Sequence, residues 1–477
     1  MDPIALHIQA NVDLIFNKQR HHALQLRLST KEERLIKLKK LQTWIRKNIG
    51  EIRNALYADL KKPSVEVDLS ETYVVLAEIN LAIKNLGKWM QPTKVNNPMS
   101  MAGIQSYIQY EPKGTSLIIS PWNFPFQLAI TPLVSAIAAG CTAIIKPSEM
   151  SVHTSALLSR MVAEVFAVEE VALFQGEVNV AEMLLQKPFE HIFFTGSPSV
   201  GKTVMKAAAE HLASVTLELG GKSPAIIDKG TNLDDAAQKI AWGKFMNSGQ
   251  TCIAPDYLLV NSSILDSFLV HLKAQIIKMY DPKGKGIHKS KDYARIINGK
   301  NLKRISRLLN DALLKGAVMH FGGEIIEEEC FIAPTVLTHI SEEMDIMNEE
   351  IFGPLLPIIP YENIKEIPCM INSKPKPLAM YVFSNEAFVM DYILSHTSAG
   401  GVCINDTIVH YLHPELPFGG VNNSGIGKSH GYHGFLAFSN QKSILKQKTG
   451  FTTNKMLYPP YGFAEKKISE VFIKLFG

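Results

Sequence analysis

Short apolar runs alternate with helix-like segments in the middle of the chain, and this alternation constrains the fold more than any other feature. TSLIIS, which begins at Thr115, precedes the helix-like LAITPLVSAIAAG, and TAIIKP precedes a helical stretch from Thr154 to Phe166. A third unit has HIFFTG as a strand, SPSVG as a turn and KTVMKAAAEHL as a helix. Such alternation indicates a mainly parallel sheet with helices on both faces. The predicted fold class is therefore α/β.

The region before these units is predicted to be helical. Apolar residues recur there at steps of three and four, which is the spacing of an amphipathic helix. They are Leu35, Leu38, Leu41, Ile45, Ile49 and Ile52. The chain has 477 residues, of which 46% are hydrophobic. This length is sufficient for more than one domain and a large core.

Composition excludes several classes of protein. The formal net charge is only +4, and there is no clear basic stripe or RNA-binding motif, so no nucleic-acid partner is expected. Because the cysteines are odd in number, widely spaced and without a C-x-x-C pair, neither a disulfide framework nor a metal site is predicted. No apolar run is long enough for a transmembrane segment, and the N-terminus lacks the regions of a signal peptide. We therefore expect a cytoplasmic protein.

Three residues in separate segments have the side chains of a covalent catalytic site. Cys252 lies among small and turn-forming residues in MNSGQTCIAP, and its thiol is a candidate nucleophile. Glu218 in TLELGGKSP is followed by two glycines that allow close approach of backbone or ligand, so it is a candidate general base. Asn123 in the stiff turn SPWNFPF can donate its amide to an oxyanion. The alternatives are a buried inert cysteine, a satisfied carboxylate and a turn-stabilising asparagine.

A different function is suggested by the segment 196–203, GSPSVGKT. It fits the Walker A pattern of P-loop NTPases and lies between a predicted strand and a predicted helix. The run PAIID, which ends in Asp228, resembles the Walker B element of such a site. This interpretation leaves Cys252, Glu218 and the segments PWNFP and EEIFGP without a role. A P-loop nucleotide-binding protein therefore stays an alternative.

The chain resembles one family through a series of ordered motifs. These are PWNFP, IIKPSE, FFTGS, LELGGKSP, GQTCIAPDY, EEIFGP and LPFGG, followed by the tail LYPPYG. They resemble the aldehyde dehydrogenases, and within them the shorter class three branch, over nearly the whole chain. The resemblance implies an aldehyde dehydrogenase-like fold with a Rossmann-type dinucleotide-binding domain, an α/β catalytic domain and a small bridging element for oligomerisation. A non-catalytic scaffold of the same fold is the alternative, although Cys252, Glu218 and Asn123 are all intact.

Domain limits follow from the same resemblance. The NAD(P)-binding domain is expected at 1–93 and 113–217, and the catalytic domain at 218–423. The bridging element is expected at 94–112 and 424–457, with a C-terminal tail at 458–477. A homodimer is expected from class three relatives.

The resemblance also implies cofactor contacts. Lys146 and Glu149 match positions that hold the adenine-side ribose hydroxyls, where the carboxylate favours NAD and the lysine leaves NADP possible. Glu350 matches the residue that binds the nicotinamide ribose, and Phe352 the one that packs near the nicotinamide. The alternatives are a surface ion pair for Lys146 and Glu149, a solvated charge beside a turn for Glu350, and core packing or lining of the substrate entrance for Phe352. The pyrophosphate is expected at a helix start, formed by Gly196, Ser197, Pro198, Ser199, Val200 and Gly201.

The activity implied is oxidation of an aldehyde to a carboxylic acid. Cys252 is expected to form a thiohemiacetal and then a thioester, Asn123 to hold the oxyanion, and Glu218 to activate the hydrolytic water. The segment HPELPFGG resembles the class three substrate-side loop, which implies an apolar funnel for medium-chain or long-chain aliphatic, or aromatic, aldehydes. Ester cleavage is expected as a side reaction.

The tail is predicted to form an amphipathic helix. Ile468, Val471, Phe472 and Leu475 fall on one helical face, with lysines elsewhere. Packing of this face against the protein body is favoured over weak peripheral contact with a membrane.

Overall fold

Helices cover both faces of two mainly parallel sheets. The computed structural model describes residues 3–101, 103–450, 452, 455 and 458–476. The α-helices are α1 (Pro3–Leu26), α2 (Lys31–Lys47), α3 (Ile49–Leu60), α4 (Ser64–Val67), α5 (Tyr73–Trp89), α6 (Gln127–Ala139), α7 (Val152–Val165), α8 (Val178–Leu185), α9 (Pro198–Glu210), α10 (Leu233–Phe245), α11 (Leu265–Tyr280), α12 (Gly299–Leu314), α13 (Asp345–Asn348), α14 (Glu366–Asn372), α15 (Ala387–His396), α16 (Gly431–Ala437) and α17 (Phe463–Phe476).

The strands form two large sheets and two small ones. They are β1 (Thr93–Lys94), β2 (Gln105–Pro112), β3 (Thr115–Ile119), β4 (Thr142–Lys146), β5 (Val171–Leu173), β6 (His191–Gly196), β7 (Ser214–Leu219), β8 (Pro224–Ile227), β9 (Tyr257–Asn261), β10 (Val318–Phe321), β11 (Ile325–Ile326), β12 (Phe331–Ile332), β13 (Thr335–Thr338), β14 (Leu355–Tyr361), β15 (Ala379–Phe383), β16 (Gly401–Ile404), β17 (Gly425–Ile426) and β18 (Ser439–Lys446).

The first large sheet has the strand order β17-β7-β6-β3-β4-β5. Strands β3 to β7 are parallel, and β17 pairs antiparallel with β7. The chain winds outward from β3 through β4 and β5, and then crosses back to β6 and β7. The order therefore reverses between β3 and β6, and in such sheets ligands bind at the carboxyl ends of the strands beside this reversal.

The second large sheet has the order β10-β13-β14-β9-β8-β15-β16 and is parallel except for β10. Only residues 220–223 separate the carboxyl end of β7 from the amino end of β8. The segment that carries Cys252 leads directly into β9 of this sheet. A third sheet, β1-β2-β18, is antiparallel, and β11 pairs with β12.

Both faces of the first sheet are buried, which explains the continuous apolar runs in its strands. Phe193 of β6 joins a core that includes Leu133 of α6, whereas the next residue, Phe194, joins the opposite core with Val204 of α9. Complete burial of such a side chain contributes about 1.5–3 kcal/mol. The predicted α/β class with helices on both faces is thus confirmed.

The structure changes two local predictions, one for the N-terminal helical region and one for the segment SPSVG. The predicted N-terminal helical region consists of separate helices, and Asn48 divides α2 from α3, with its Nδ2 donating to the carbonyl of Trp44 over 2.8 Å. The predicted turn SPSVG is wrong because α9 already begins at Pro198. Ser197 caps this helix, since its Oγ accepts from the N–H of Val200, and proline suits the first helical position.

The tail forms the helix α17, as predicted. Val471 and Leu475 on its apolar face are 52% and 67% exposed, so the favoured packing against the protein body is not seen at these two positions. Among the described residues, no helix is long and apolar enough to cross a membrane.

Candidate active site

The backbone just before Cys252 has a rare conformation. Asn247, Ser248 and Gly249 have φ values of 52°, 52° and 73°, in the left-handed region. A side chain at Gly249 would collide with the backbone carbonyl of Gly353. Non-glycine residues in this region, here Asn247 and Ser248, cost about 1–3 kcal/mol each and persist only where the surroundings enforce them. The turn therefore depends on its neighbours for its shape.

Hydrogen bonds from buried side chains fix this turn. Ser248 Oγ donates to the carbonyl of Ala294 over 2.6 Å. Gln250 Nε2 donates to the carbonyls of Asn247 at 2.9 Å and Arg295 at 3.0 Å. The turn is thereby tied to the segment that precedes α12.

Asn123, in the loop that follows β3, lies against the same turn. Its side chain is buried, and its Nδ2 donates to the carbonyl of Gln250 over 3.0 Å. Its own backbone carbonyl accepts from Asn247 Nδ2 at 2.9 Å and Lys62 Nζ at 3.1 Å. Because a carboxamide has two N–H donors, one remains for a ligand after the bond to Gln250. The structure thus brings Asn123 beside the turn that carries Cys252.

A buried ion pair supports Asn123 from behind. Lys62 Nζ lies 2.8 Å from Glu71 Oε1, and both side chains are fully buried. Glu71 Oε2 accepts from the N–H of Gln127 at 2.8 Å, and Lys62 Nζ lies 4.1 Å from the ring centre of Phe124. Burial raises the pKa of Glu71, and Lys62 opposes that rise. Neither residue is predicted from the sequence, because nothing in KKPS marks its second lysine as buried.

Glu218 lies near the end of β7 and is also buried. Its Oε1 accepts from Ser429 Oγ at 2.6 Å, whereas its Oε2 has no hydrogen-bond partner among the described residues. Burial raises the pKa of Glu218 to about 7, and the Ser429 hydroxyl and the charge of Lys428 oppose the rise. No pattern in the sequence predicts a role for Ser429.

Cys252 and Glu218 line one small cavity of about 30 Å³. Its apolar walls include Leu128 and Phe418, and its volume is sufficient for a water molecule. Burial, and then the charges of Glu350 and Glu218, raise the pKa of the Cys252 thiol above its ordinary value. The N–H groups of Cys252 and Ile253 oppose this rise. The thiol therefore needs a proton acceptor, or a nearby positive charge, to become a thiolate at neutral pH.

The cofactor residues expected at the ends of β4 and β6 flank β3. Lys146 Nζ lies 3.6 Å from Glu149 Oε2, with the lysine side chain buried and the glutamate partly exposed. Ser197 and Val200 are exposed at the start of α9, close to the strand-order reversal. Free N–H groups at a helix start favour an anionic group. The remaining residues of this segment are Gly196, Pro198, Ser199 and Gly201.

Glu350 and Phe352 approach the same edge from the segment between α13 and β14. The Phe352 ring packs edge-on against Trp122, which follows β3, with ring centres 5.4 Å apart. A side chain at Gly220 would collide with the carboxylate of Glu350, so this glycine leaves room for it. Burial and the charge of Asp256 raise the pKa of Glu350 to about 8.

The P-loop alternative does not agree with the fold. Residues from Pro198 onward are helical, so no glycine-rich loop precedes the helix to surround a phosphate. Asp228 follows β8 in the other large sheet, where it accepts from Ser384 Oγ at 2.9 Å and Tyr361 Oη at 3.3 Å. The two parts of the supposed nucleotide site therefore belong to different sheets.

Known proteins that are similar to this chain identify its family, which is a narrower class than its α/β fold. A sequence profile of the aldehyde dehydrogenase family matches residues 4–444. Aldehyde dehydrogenase family 3 member A2 of Pongo abelii is 43% identical over 428 residues, covering 90% of this chain and 87% of that protein. The Mus musculus protein called aldehyde dehydrogenase, dimeric NADP-preferring, is 41% identical over 452 residues, covering 94% of this chain and 98% of that protein.

A solved structure agrees with these relatives. The substrate-bound state of Staphylococcus aureus AldH is similar with a TM-score of 0.92 and 40% identity, covering 97% of this chain and 99% of that one. This chain belongs to the aldehyde dehydrogenase family. The resemblance seen in the ordered motifs is therefore confirmed.

Proposed function

We propose that this protein oxidises medium-chain or long-chain aliphatic, or aromatic, aldehydes to carboxylic acids with NAD or NADP. The main observation is that Cys252 and Glu218 line one cavity sufficient for a water molecule. This arrangement suits a thioester that is formed on the cysteine and then hydrolysed. Apolar walls such as Leu128 and Phe418 support an apolar aldehyde.

The first stage is formation of a covalent bond to the substrate. Cys252 Sγ gives its proton to water and bonds to the aldehyde carbon, and the carbonyl oxygen becomes the thiohemiacetal oxyanion. The second N–H of Asn123 Nδ2 and the backbone N–H of Cys252 stabilise this oxyanion. One such donor contributes about 100- to 1,000-fold in rate. Loss of hydride from the same carbon leaves a thioester on Cys252.

The second stage is hydrolysis of the thioester. Glu218 Oε2 takes a proton from water while the water oxygen bonds to the thioester carbon. The carbon–sulfur bond then breaks, which releases the carboxylic acid and the Cys252 thiolate. General-base assistance of this kind contributes about 100- to 10,000-fold, and a pKa of about 7 suits a base that works at neutral pH.

The residues at the carboxyl edge of the first sheet fit a nicotinamide dinucleotide. We assign the pyrophosphate to the α9 start and the adenine-side ribose to Lys146 and Glu149. Glu350 and Phe352 are assigned to the nicotinamide end. When bound, the nicotinamide supplies the hydride acceptor. The Glu149 carboxylate favours NAD, while Lys146 can balance the extra phosphate of NADP.

A homodimer is also proposed, and the word "dimeric" in the name of the Mus musculus relative supports it. The bridging element at 94–112 and 424–457 is the proposed contact between copies. It includes β2 and β18, which pair along their full lengths.

Absorbance at 340 nm tests the proposed activity. Purified protein is mixed with octanal and either NAD or NADP, beside the variant Cys252→Ala. We expect cofactor reduction that disappears in the variant, and the two initial rates give the cofactor preference. If short, long and aromatic aldehydes all fail to reduce either cofactor, the proposed activity is contradicted.

A further inference from the structure

The hydroxyl of Ser429 contacts the carboxylate of Glu218 from the segment after β17. Their Oγ–Oε1 distance is 2.6 Å, and the serine is buried. The backbone holds Ser429 in place, because its N–H donates to the carbonyl of Phe418 at 2.7 Å. Two residues later, the N–H of Gly431 donates to Glu78 Oε1, also at 2.7 Å. The hydroxyl is therefore presented by a fixed piece of chain.

The two oxygens of Glu218 have different surroundings. Oε1 accepts from Ser429, while Oε2 is buried without a hydrogen-bond partner among the described residues. Thr195, beside Glu218 on the neighbouring strand, lines the same cavity, and its Oγ1 also has no partner there. Buried polar groups normally pair with protein or water. These two atoms and the cavity volume form a site for one water molecule near Cys252.

The titratable side chains near Glu218 that the structure describes do not hydrogen-bond its carboxylate as Ser429 does. Lys428 favours the carboxylate through its charge, but its Nζ donates to backbone carbonyls, including that of Gly420 at 3.3 Å. Burial lowers the pKa of His430 to about 4, so its ring is neutral at pH 7. Cys252 lines the same cavity, and no hydrogen bond joins it to Glu218 among the described residues. Within the described part of the chain, Ser429 is thus the side chain that hydrogen-bonds Glu218.

We infer that Ser429 is a positioning residue for thioester hydrolysis: its hydroxyl holds Oε1 of Glu218 so that Oε2 faces the water site beside Cys252. This inference rests on the proposed function. The proton of the attacking water passes to Oε2, the water oxygen bonds to the thioester carbon, and Cys252 leaves as the thiolate. Ser429 keeps its own proton throughout.

The test separates the two stages of the reaction in Ser429→Ala, Ser429→Thr and the control Ser424→Ala. Ser424 is a buried serine nearby whose Oγ bonds within its own turn, to Val421. A rapid-mixing burst of NADH with octanal reports thioester formation. Intact-mass measurement after acid quenching gives the lifetime of the acyl group on Cys252, and hence the hydrolysis rate, between pH 5 and 9.

In Ser429→Ala we expect a burst of normal rate and hydrolysis about tenfold slower, the effect of losing one hydrogen bond to a charged group. The acid limb of the hydrolysis profile should move to higher pH, because the lost donor stabilised the charged form of Glu218. Ser429→Thr keeps a hydroxyl and should restore both rate and midpoint. Ser424→Ala should match the wild type. Thermal unfolding verifies that each variant is folded.

Unchanged hydrolysis and an unchanged midpoint in folded Ser429→Ala would overturn the inference, and so would equal slowing of burst and hydrolysis. If Ser429→Ala does not fold, Ser429→Cys replaces it, since a thiol is a weak donor of similar size. It should shift the midpoint in the same direction, and no shift would again overturn the inference. A wild-type protein that forms neither NADH nor an acyl-enzyme would contradict the proposed function instead.

Discussion

Two groups of residues near Cys252 are built differently, and each is called a side below. On the side that we call the oxyanion side, formed by Asn123, Gln250 and Lys62, the Asn123 carbonyl accepts two hydrogen bonds and its amide is anchored. On the hydrolysis side, formed by Glu218 and Ser429, one carboxylate oxygen is held and the other has no partner among the described residues. The first side suits a donor that must stay still. The second leaves one carboxylate oxygen able to accept a proton. Burial of this carboxylate raises the pKa of Glu218 to about 7.

The largest effect on turnover is expected when the hydrolysis side loses its base. Glu218→Gln keeps the shape of the side chain and an oxygen for Ser429, but it cannot take a proton. The NADH burst should remain, while steady-state turnover falls about 100- to 10,000-fold. Rapid-mixing and steady-state absorbance measure the two phases. Loss of the burst would mean that Glu218 acts before the thioester forms.

The oxyanion side should respond with the opposite kinetic pattern. Asn123→Ala removes the side-chain donor, so we expect the burst itself to slow about 100- to 1,000-fold. Cofactor binding, followed by fluorescence titration, should stay close to that of the wild type. A burst of normal rate followed by slow turnover would contradict the assigned role of Asn123.

The support behind the oxyanion side is expected to matter more for stability than for rate. Lys62→Met leaves the buried Glu71 without its partner, which should lower the free energy of unfolding by about 3–5 kcal/mol, with a smaller effect on turnover. Lys61→Met, at the exposed neighbouring lysine, should change stability by less than about 0.5 kcal/mol. Urea unfolding measures both.

Adding Glu71→Gln to Lys62→Met separates charge from packing. Removing the unpaired charge should return much of the lost stability, because a buried ion pair costs desolvation on both sides. If the double variant is as unstable as Lys62→Met alone, packing around the lysine stem is the cause.

The contrast also explains what could be predicted from sequence. The strand–helix alternation predicted β3, β4 and β6 of the first sheet, because both faces of this sheet are buried and these strands are rich in apolar residues. Residue type and motif nominated Cys252, Glu218 and Asn123. Ser429 lies 211 positions from Glu218, and no local pattern records that contact. The start of α9 was missed because glycine, serine and proline are typical of turns, yet here serine caps a helix that begins with proline.

The smallest effect on turnover is expected at Glu78, which anchors the segment carrying Ser429 through the N–H of Gly431. Burial raises the pKa of Glu78 from 4.5 to about 7, so the folded protein holds a proton that the unfolded chain loses between these pH values. Its contribution to stability is therefore present below about pH 4.5 and is lost as the pH rises to 7. Glu78→Gln keeps an acceptor for Gly431 without this titration.

The stability of Glu78→Gln relative to the wild type should accordingly rise between pH 5 and 8, by about 1–3 kcal/mol, with unchanged turnover at pH 6. Urea unfolding at several pH values gives the difference directly. A constant difference would mean that Glu78 is already charged in the folded protein. Lower turnover at constant stability would instead place Glu78 in the support of the hydrolysis side, through the segment that presents Ser429.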